Sequence, residues 1–286
     1  MTNALFAELV VAAFLLCYAV FSSIELGAGL TVGFFKDPEA PYHYLGPVWE
    51  TTKVFLVAGV TAIFTFFPAV VSVIGSKLAL PLLAAVLLMG IQVATVVVAS
   101  RNPIMRWLGT GAGLGAAFAL VTCLLIFLTG AHAWQPLLML YGLVLATSLA
   151  VAAAFFRYRD PKGMSVDADK LGFRAATALV ILGTGFLVFL NVRLPGILVI
   201  PYLLYVIFLY AKRLRGTFWS SVLLVGTLFA LTAQYPYLSY PHTAAEELTN
   251  AASFHILVGG LAVGLALVVP ALILLYRLFA SPSKPQ

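Results

Sequence analysis

Apolar residues in this chain do not alternate with polar ones at the period of a half-buried strand or helix. They run on without a break, and polar residues collect in short stretches between the runs. A helix needs roughly 17–25 mostly apolar residues to cross the hydrocarbon of a bilayer. Nine stretches read as candidates: residues 5–35, 54–74, 78–99, 107–130, 134–156, 173–191, 194–210, 218–237 and 254–279. The seventh is the weakest, being short and interrupted by Pro201. Strand alternation is absent, which disfavours a β-barrel. The pattern predicts an all-α, polytopic membrane protein with about nine transmembrane helices. Short connections favour antiparallel neighbours. The expected layout is two four-helix bundles plus one extra helix: residues 1–130, residues 131–237, and residues 238–286 for an outer loop and the last helix.

Charge supports the count. With nine crossings, 14 of the 16 lysines and arginines fall on one side, leaving only Lys77 and Arg193 on the other. Positive residues are retained on the cytoplasmic side, so the N-terminus is expected outside and the C-terminus in the cytoplasm. Trp49, Trp107, Trp134 and Trp219 all stand near the ends of apolar stretches, where an indole prefers to lie. The longest inner loop, expected over 157–172, divides the chain near its middle; the longest outer loop is expected over 238–253.

Composition excludes the soluble alternatives. The chain is 63% hydrophobic and 9% charged, against about 45–50% and about 25% in soluble domains. The net charge of +6 comes from basic residues scattered over loops, a pattern of membrane orientation and not of nucleic-acid binding. The first apolar stretch lacks a basic leader and runs too long for a cleavable signal peptide. Cys17 and Cys123 lie inside apolar stretches and read as free thiols with no metal-binding spacing.

Few residues within the spans carry chemistry. Glu25 lies inside the first, about ten residues or 15 Å from its inner end. Tyr18, Ser22, Glu25 and Gly29 share one face at helical spacing, and Gly29 and Gly33 permit close approach of another helix. An ionisable group at such a depth is expensive and faces protein or water. Two readings stay open for Glu25: a neutral hydrogen-bonding group at a helix contact, or a proton carrier. Glu50 precedes the second span, with Lys53 three residues on; an interfacial ion pair is the plain reading and a proton-entry mouth the functional one. Gln92, Asn191 and Gln234 read as interhelical hydrogen-bonding groups. Pro68, Pro81, Pro201 and Pro270 read as kinks. His43, His132 and His242 read as loop residues; His255 is a weak candidate haem ligand. There is no phosphate-binding glycine loop, nucleophile elbow or CxxC.

Two regions together resemble subunit II of the cytochrome bd quinol oxidases. One is Ser23-Ile24-Glu25-Leu26-Gly27-Ala28-Gly29, followed by Leu45-Gly46-Pro47-Val48-Trp49-Glu50-Thr51-Thr52-Lys53-Val54-Phe55 and by Phe67-Pro68. The other is Tyr235-Pro236-Tyr237 with a last span ending Val269-Pro270-Ala271-Leu272-Ile273-Leu274-Leu275-Tyr276. The family's two aspartates stand as Glu25 and Glu50 here, its Gly-Asn pair as Thr51-Thr52, and its Arg-Pro of the third helix as Gln92-Val93. The resemblance implies a divergent non-haem subunit of a quinol:oxygen oxidoreductase in a prokaryotic cytoplasmic membrane. It implies a similar-sized haem-bearing subunit I as partner, holding haems b and d and oxidising quinol. It implies that this chain binds no haem or metal itself, while a structural quinone, lipid and small single-helix subunits are compatible with it. The implied proton pathway runs through Glu25, Glu50, Ser22 and Gln92. The competing readings are a proton-coupled secondary transporter using Glu25 and a free-standing haem protein using His255. The transporter reading lacks matched broken helices in two halves.

Overall fold

The computed structural model describes residues 3–31, 44–99, 102–129, 134–159, 165–190, 199–233 and 251–280. Among these there are nine α-helices and no strand: α1 Asn3–Leu30, α2 Leu45–Phe66, α3 Pro68–Ala99, α4 Pro103–Thr129, α5 Trp134–Arg159, α6 Ser165–Leu190, α7 Ile200–Tyr210, α8 Leu214–Ala233 and α9 Ala251–Ala280. Five contain an apolar stretch of membrane-crossing length: Phe6–Leu30, Val48–Phe66, Lys77–Thr95, Pro103–Ile126 and Leu137–Arg159. Helix α7 has only 11 residues, about 16 Å of helix.

Three boundaries differ from expectation, each for a physical reason. The second apolar stretch ends at Phe66, and its last residues belong to α3. Pro68 has no N–H to continue the ladder, and Phe67 leaves helical geometry at φ −127° and ψ 60° while its N–H still reaches the Ile63 carbonyl. Pro68 therefore starts a helix where a kink was expected. Pro201 likewise stands in the first turn of α7, where a missing N–H costs nothing. Pro81 and Pro270 do lie inside helices. At the predicted inner loop, α5 runs on to Arg159 and α6 starts at Ser165, so Arg157 and Asp169 are helical. Charge had masked these turns, but acidic residues suit a helix start and basic ones a helix end, and Asp167 and Arg157 with Arg159 stand in those places. Gly33, His43, His132, Asn191, Gln234, Tyr235 to Tyr237 and His242 lie outside the described residues.

The chain forms two compact units. The first comprises residues 1–21, 44–75 and 240–286. Its core joins α1, α2 and α9 through Ala7, Phe14, Ala62, Phe66, Phe67 and Phe254. Phenylalanine edges lock it: Phe254 meets Phe6 at 6.2 Å and Phe66 at 5.6 Å, and Phe21 stacks on Phe55 at 5.8 Å. Such pairs add about 0.5–1.5 kcal/mol beyond the area they bury.

The second unit comprises residues 22–43 and 76–239. Within it α5 packs on α4, α6 and α8, and α7 packs on α6 and α8. Every residue from Ala150 to Arg157 is buried, and a helix apolar on all sides belongs at the centre of its bundle. Leucines and valines of α4 and α5 form one core cluster, with Val121 and Leu125 against Leu137, Leu140 and Leu143. Tyr141 ties α5 to α4: the ring of Phe118 stands edge-on to it at 5.3 Å, and its hydroxyl donates to the Leu114 carbonyl at 3.0 Å.

Candidate functional site, a carboxyl layer around the start of α4

Two polar side chains of α3, Thr95 and Gln92, lie against the first half of α4. The sequence there is Gly109-Thr110-Gly111-Ala112-Gly113-Leu114-Gly115. Three of these glycines are contact points. A Cβ on Gly109 would lie 2.6 Å from Thr95 Oγ1, one on Gly113 would lie 3.1 Å from the Gln92 side-chain amide, and one on Gly115 would lie 2.9 Å from Leu88. Glycine lets α3 set a polar amide directly on the α4 backbone, the close approach small residues permit in membranes.

The C-terminal part of α1 reaches the same segment. The Thr110 hydroxyl lies 3.0 Å from the Gly29 carbonyl on α1 and 3.0 Å from the Arg106 carbonyl on its own helix, so its one proton is shared between them. Gly27 is pressed against the Ser148 carbonyl and the Ala152 methyl of α5. Glu25 lies two residues before Gly27 and four before Gly29, within about 6 Å along the helix axis of both contacts. Gly113, which carries Gln92, lies three residues beyond Thr110, about 4.5 Å along α4.

Glu25 is 7% exposed, and Gln92, Thr95, Thr110, Thr147 and Ser148 are buried with it in this unit. Ser22, one turn before Glu25, is half-buried. The hydroxyls are already committed: Thr95 donates to the Gln92 carbonyl at 2.8 Å and Ser148 to the Val144 carbonyl at 2.8 Å. Among the side chains of this layer Glu25 is the one ionisable group. It faces protein, as an intramembrane carboxyl must.

The other two sequence candidates belong to the first unit. Glu50 is exposed in the second turn of α2, in the first unit; it lies within the helix and not ahead of it. Lys53 Nζ lies 5.9 Å from the centroid of the Trp49 ring, within reach of a cation–π contact. His255 is exposed on the first turns of α9 with its ring edge-on to Phe254 at 5.9 Å, and it is the one histidine among the described residues. No group of three potential metal ligands occurs among the described residues.

Two features escaped the sequence reading. The glycine run of α4 is one; alternate glycines inside an apolar span signal a packing surface, not a loop. The other is a buried ion pair, Arg157 Nε to Asp169 Oδ1 at 2.9 Å, joining α5 to α6. The pair is misaligned for a hydrogen bond, so charge alone holds it. Tyr205 of α7 is fully buried beside it, its hydroxyl donating to the Gly172 carbonyl at 3.4 Å. The signal was an arginine closing an alanine-rich stretch with no polar face.

A bundle of apolar helices that encloses a carboxyl, an amide and several hydroxyls defines a polytopic membrane protein with a polar interior. Comparison with known proteins narrows this to one family. Residues 4–279 match cytochrome bd terminal oxidase subunit II, and the chain belongs to that family. It is 36% identical over 97 residues to a protein of Bacillus subtilis (strain 168) named as cytochrome bd menaquinol oxidase subunit II; the match covers 32% of this chain and 28% of that relative's length. The fold matches the structure of bd oxidase from Geobacillus thermodenitrificans with a TM-score of 0.77, over 99% of this chain and 100% of that one, at 24% identity.

Proposed function

We propose that this chain is the haem-free second subunit of a bd-type quinol:oxygen oxidoreductase, pairing with a haem-bearing subunit I and conducting protons toward the site of oxygen reduction. The observation that carries this reading is the burial of Glu25 in a layer shared with Gln92, Thr110 and Ser148. Family membership supplies the oxidase. In this reading haems b and d reside in the partner, Glu50 is the entry mouth on the cytoplasmic side, and Ser22 and Gln92 line the route to Glu25. The same reading keeps the N-terminus outside, the C-terminus in the cytoplasm, and bundles at residues 1–130 and 131–237 followed by residues 238–286. The mutual packing of α5, α6, α7 and α8 supports the second bundle. A structural quinone and small single-helix subunits are compatible with it.

The test is turnover per haem and proton uptake in the purified two-subunit complex. A glutamine keeps the shape of Glu25 and most of its hydrogen bonds but cannot carry a proton. Glu25→Gln is expected to preserve assembly and haem content while slowing oxygen reduction about 100-fold, the low end of what a positioned proton-transfer group contributes. Wild-type turnover in Glu25→Gln ends the proton-carrier reading and leaves a structural carboxyl. In that case Glu25→Leu lowers assembly by leaving a buried partner unsatisfied.

A further inference from the structure

One end of the α5–α8 bundle carries a charged surface outside the proposed proton route. Five cations are exposed there: Lys170 and Arg174 on the first turns of α6, and Lys212, Arg213 and Arg215 where α7 turns into α8. Direct packing of α6 on α7 brings them to the same end. Gly172 lies against Leu209 and Tyr205, and the ring of Phe173 stands edge-on to Tyr210 at 5.0 Å. Two described carboxylates share this end, Asp167 and Asp169, both half-buried, and Asp169 faces Arg157. The surface is thus strongly positive.

Immediately beyond the cations the surface turns apolar on both helices. On α7, Ile200, Leu203, Ile207 and Tyr210 are all exposed and recur at three- and four-residue spacing, which makes one stripe. On α6, Phe173, Val180 and Ile181 are exposed and continue along the helix away from Lys170. The Phe173–Tyr210 pair stands where the cationic and apolar parts meet, with Tyr210 72% exposed. An amphipathic ring prefers the boundary between hydrocarbon and headgroup. Cations on two adjacent helices, an aromatic pair below them and a face two helices wide match the layout of one anionic diacyl lipid. Scattered interfacial lysines alone would not.

We propose that this surface binds an anionic phospholipid of the adjoining leaflet. Its phosphate lies among Lys170, Lys212 and Arg213, its glycerol at the Phe173–Tyr210 edge, and its acyl chains along Ile181, Leu203 and Ile207. Arginine and lysine differ in geometry but both take phosphate oxygens through charge-assisted bonds, and clustered basic residues at a membrane surface recognise anionic headgroups.

The test uses the purified oxidase complex containing this chain. Thermal unfolding in detergent is followed while adding phosphatidylglycerol, phosphatidylcholine or inorganic phosphate. Phosphatidylglycerol is expected to raise the midpoint at a concentration at least about tenfold below that of phosphatidylcholine, and inorganic phosphate to do nothing. The triple variant Lys170→Gln, Lys212→Gln, Arg213→Gln loses that preference. The charge-preserving pair Lys170→Arg, Lys212→Arg keeps it, which separates lost recognition from lost folding. Equal response to the two lipids, an unchanged preference in the triple variant, or a shift with inorganic phosphate matching that with phosphatidylglycerol would each overturn the proposal.

Discussion

Gly27 on α1 lies so close to Ser148 on α5 that a Cβ would overlap the Ser148 carbonyl oxygen and come within 2.5 Å of the Ala152 methyl. Both obstacles are held by helix backbone and cannot swing aside. Gly27→Ala is therefore expected to push α1 off α5 and cost about 1–3 kcal/mol, the usual range for overpacking. Gly29 supplies the control. A Cβ there would meet Thr110 at an ordinary 3.8 Å, so Gly29→Ala should leave the complex near wild type. The thermal midpoint and yield of assembled complex for the two variants check the contrast.

The Arg157–Asp169 pair gives a second prediction. Arg157 is buried and its partner is 24% exposed. Removing one charge leaves the other uncompensated, and such a break costs about 3 kcal/mol or more. Asp169→Asn should destabilise more than the double replacement Arg157→Met with Asp169→Leu, which leaves no buried charge. Denaturation midpoints of the single and double variants decide it; an additive double mutant would show that the two side chains do not interact.

Exposure separates the two glutamates. Glu50 is exposed, so water can serve a proton there by other routes. Glu50→Gln should lower turnover per haem less than Glu25→Gln does. A larger loss at Glu50 would move the controlling carboxyl to α2.

Orientation is open to a direct check. Reporter fusions at Lys162 and Glu246 should fall on opposite sides of the membrane, the first in the cytoplasm, because basic residues concentrate around the first position. Reporters on one side would break the nine-crossing scheme.

Much of the fold was legible because bilayer thickness imposes a length that apolar runs must meet. The first, fourth, fifth and last helices fall close to the expected stretches. The break at Phe67 was hidden because hydropathy does not see a missing N–H; Pro68 was noticed, but its choice between kinking and starting a helix depends on local backbone geometry. Glu25 stood out by charge within an apolar run. The packing of its helix did not, since Thr110 meets Gly29, one turn beyond Glu25, through helix pairing across some 80 residues of chain. Arg157 and Asp169 were hidden by the opposite effect: their charge made two helical turns look like loop.

The buried alanine-rich stretch of α5 bears on how the protein is made. A ribosome delivers α5 before α6, α7 and α8, so Ala150 to Ala154 must first be acceptable to lipid and only later to protein. Alanine suits both states. It is apolar enough to wait in hydrocarbon, and it has no side-chain rotamers to freeze when neighbours arrive. The central helix of the bundle can thus exchange lipid for protein contacts with little loss of side-chain freedom, whichever of its later partners docks first.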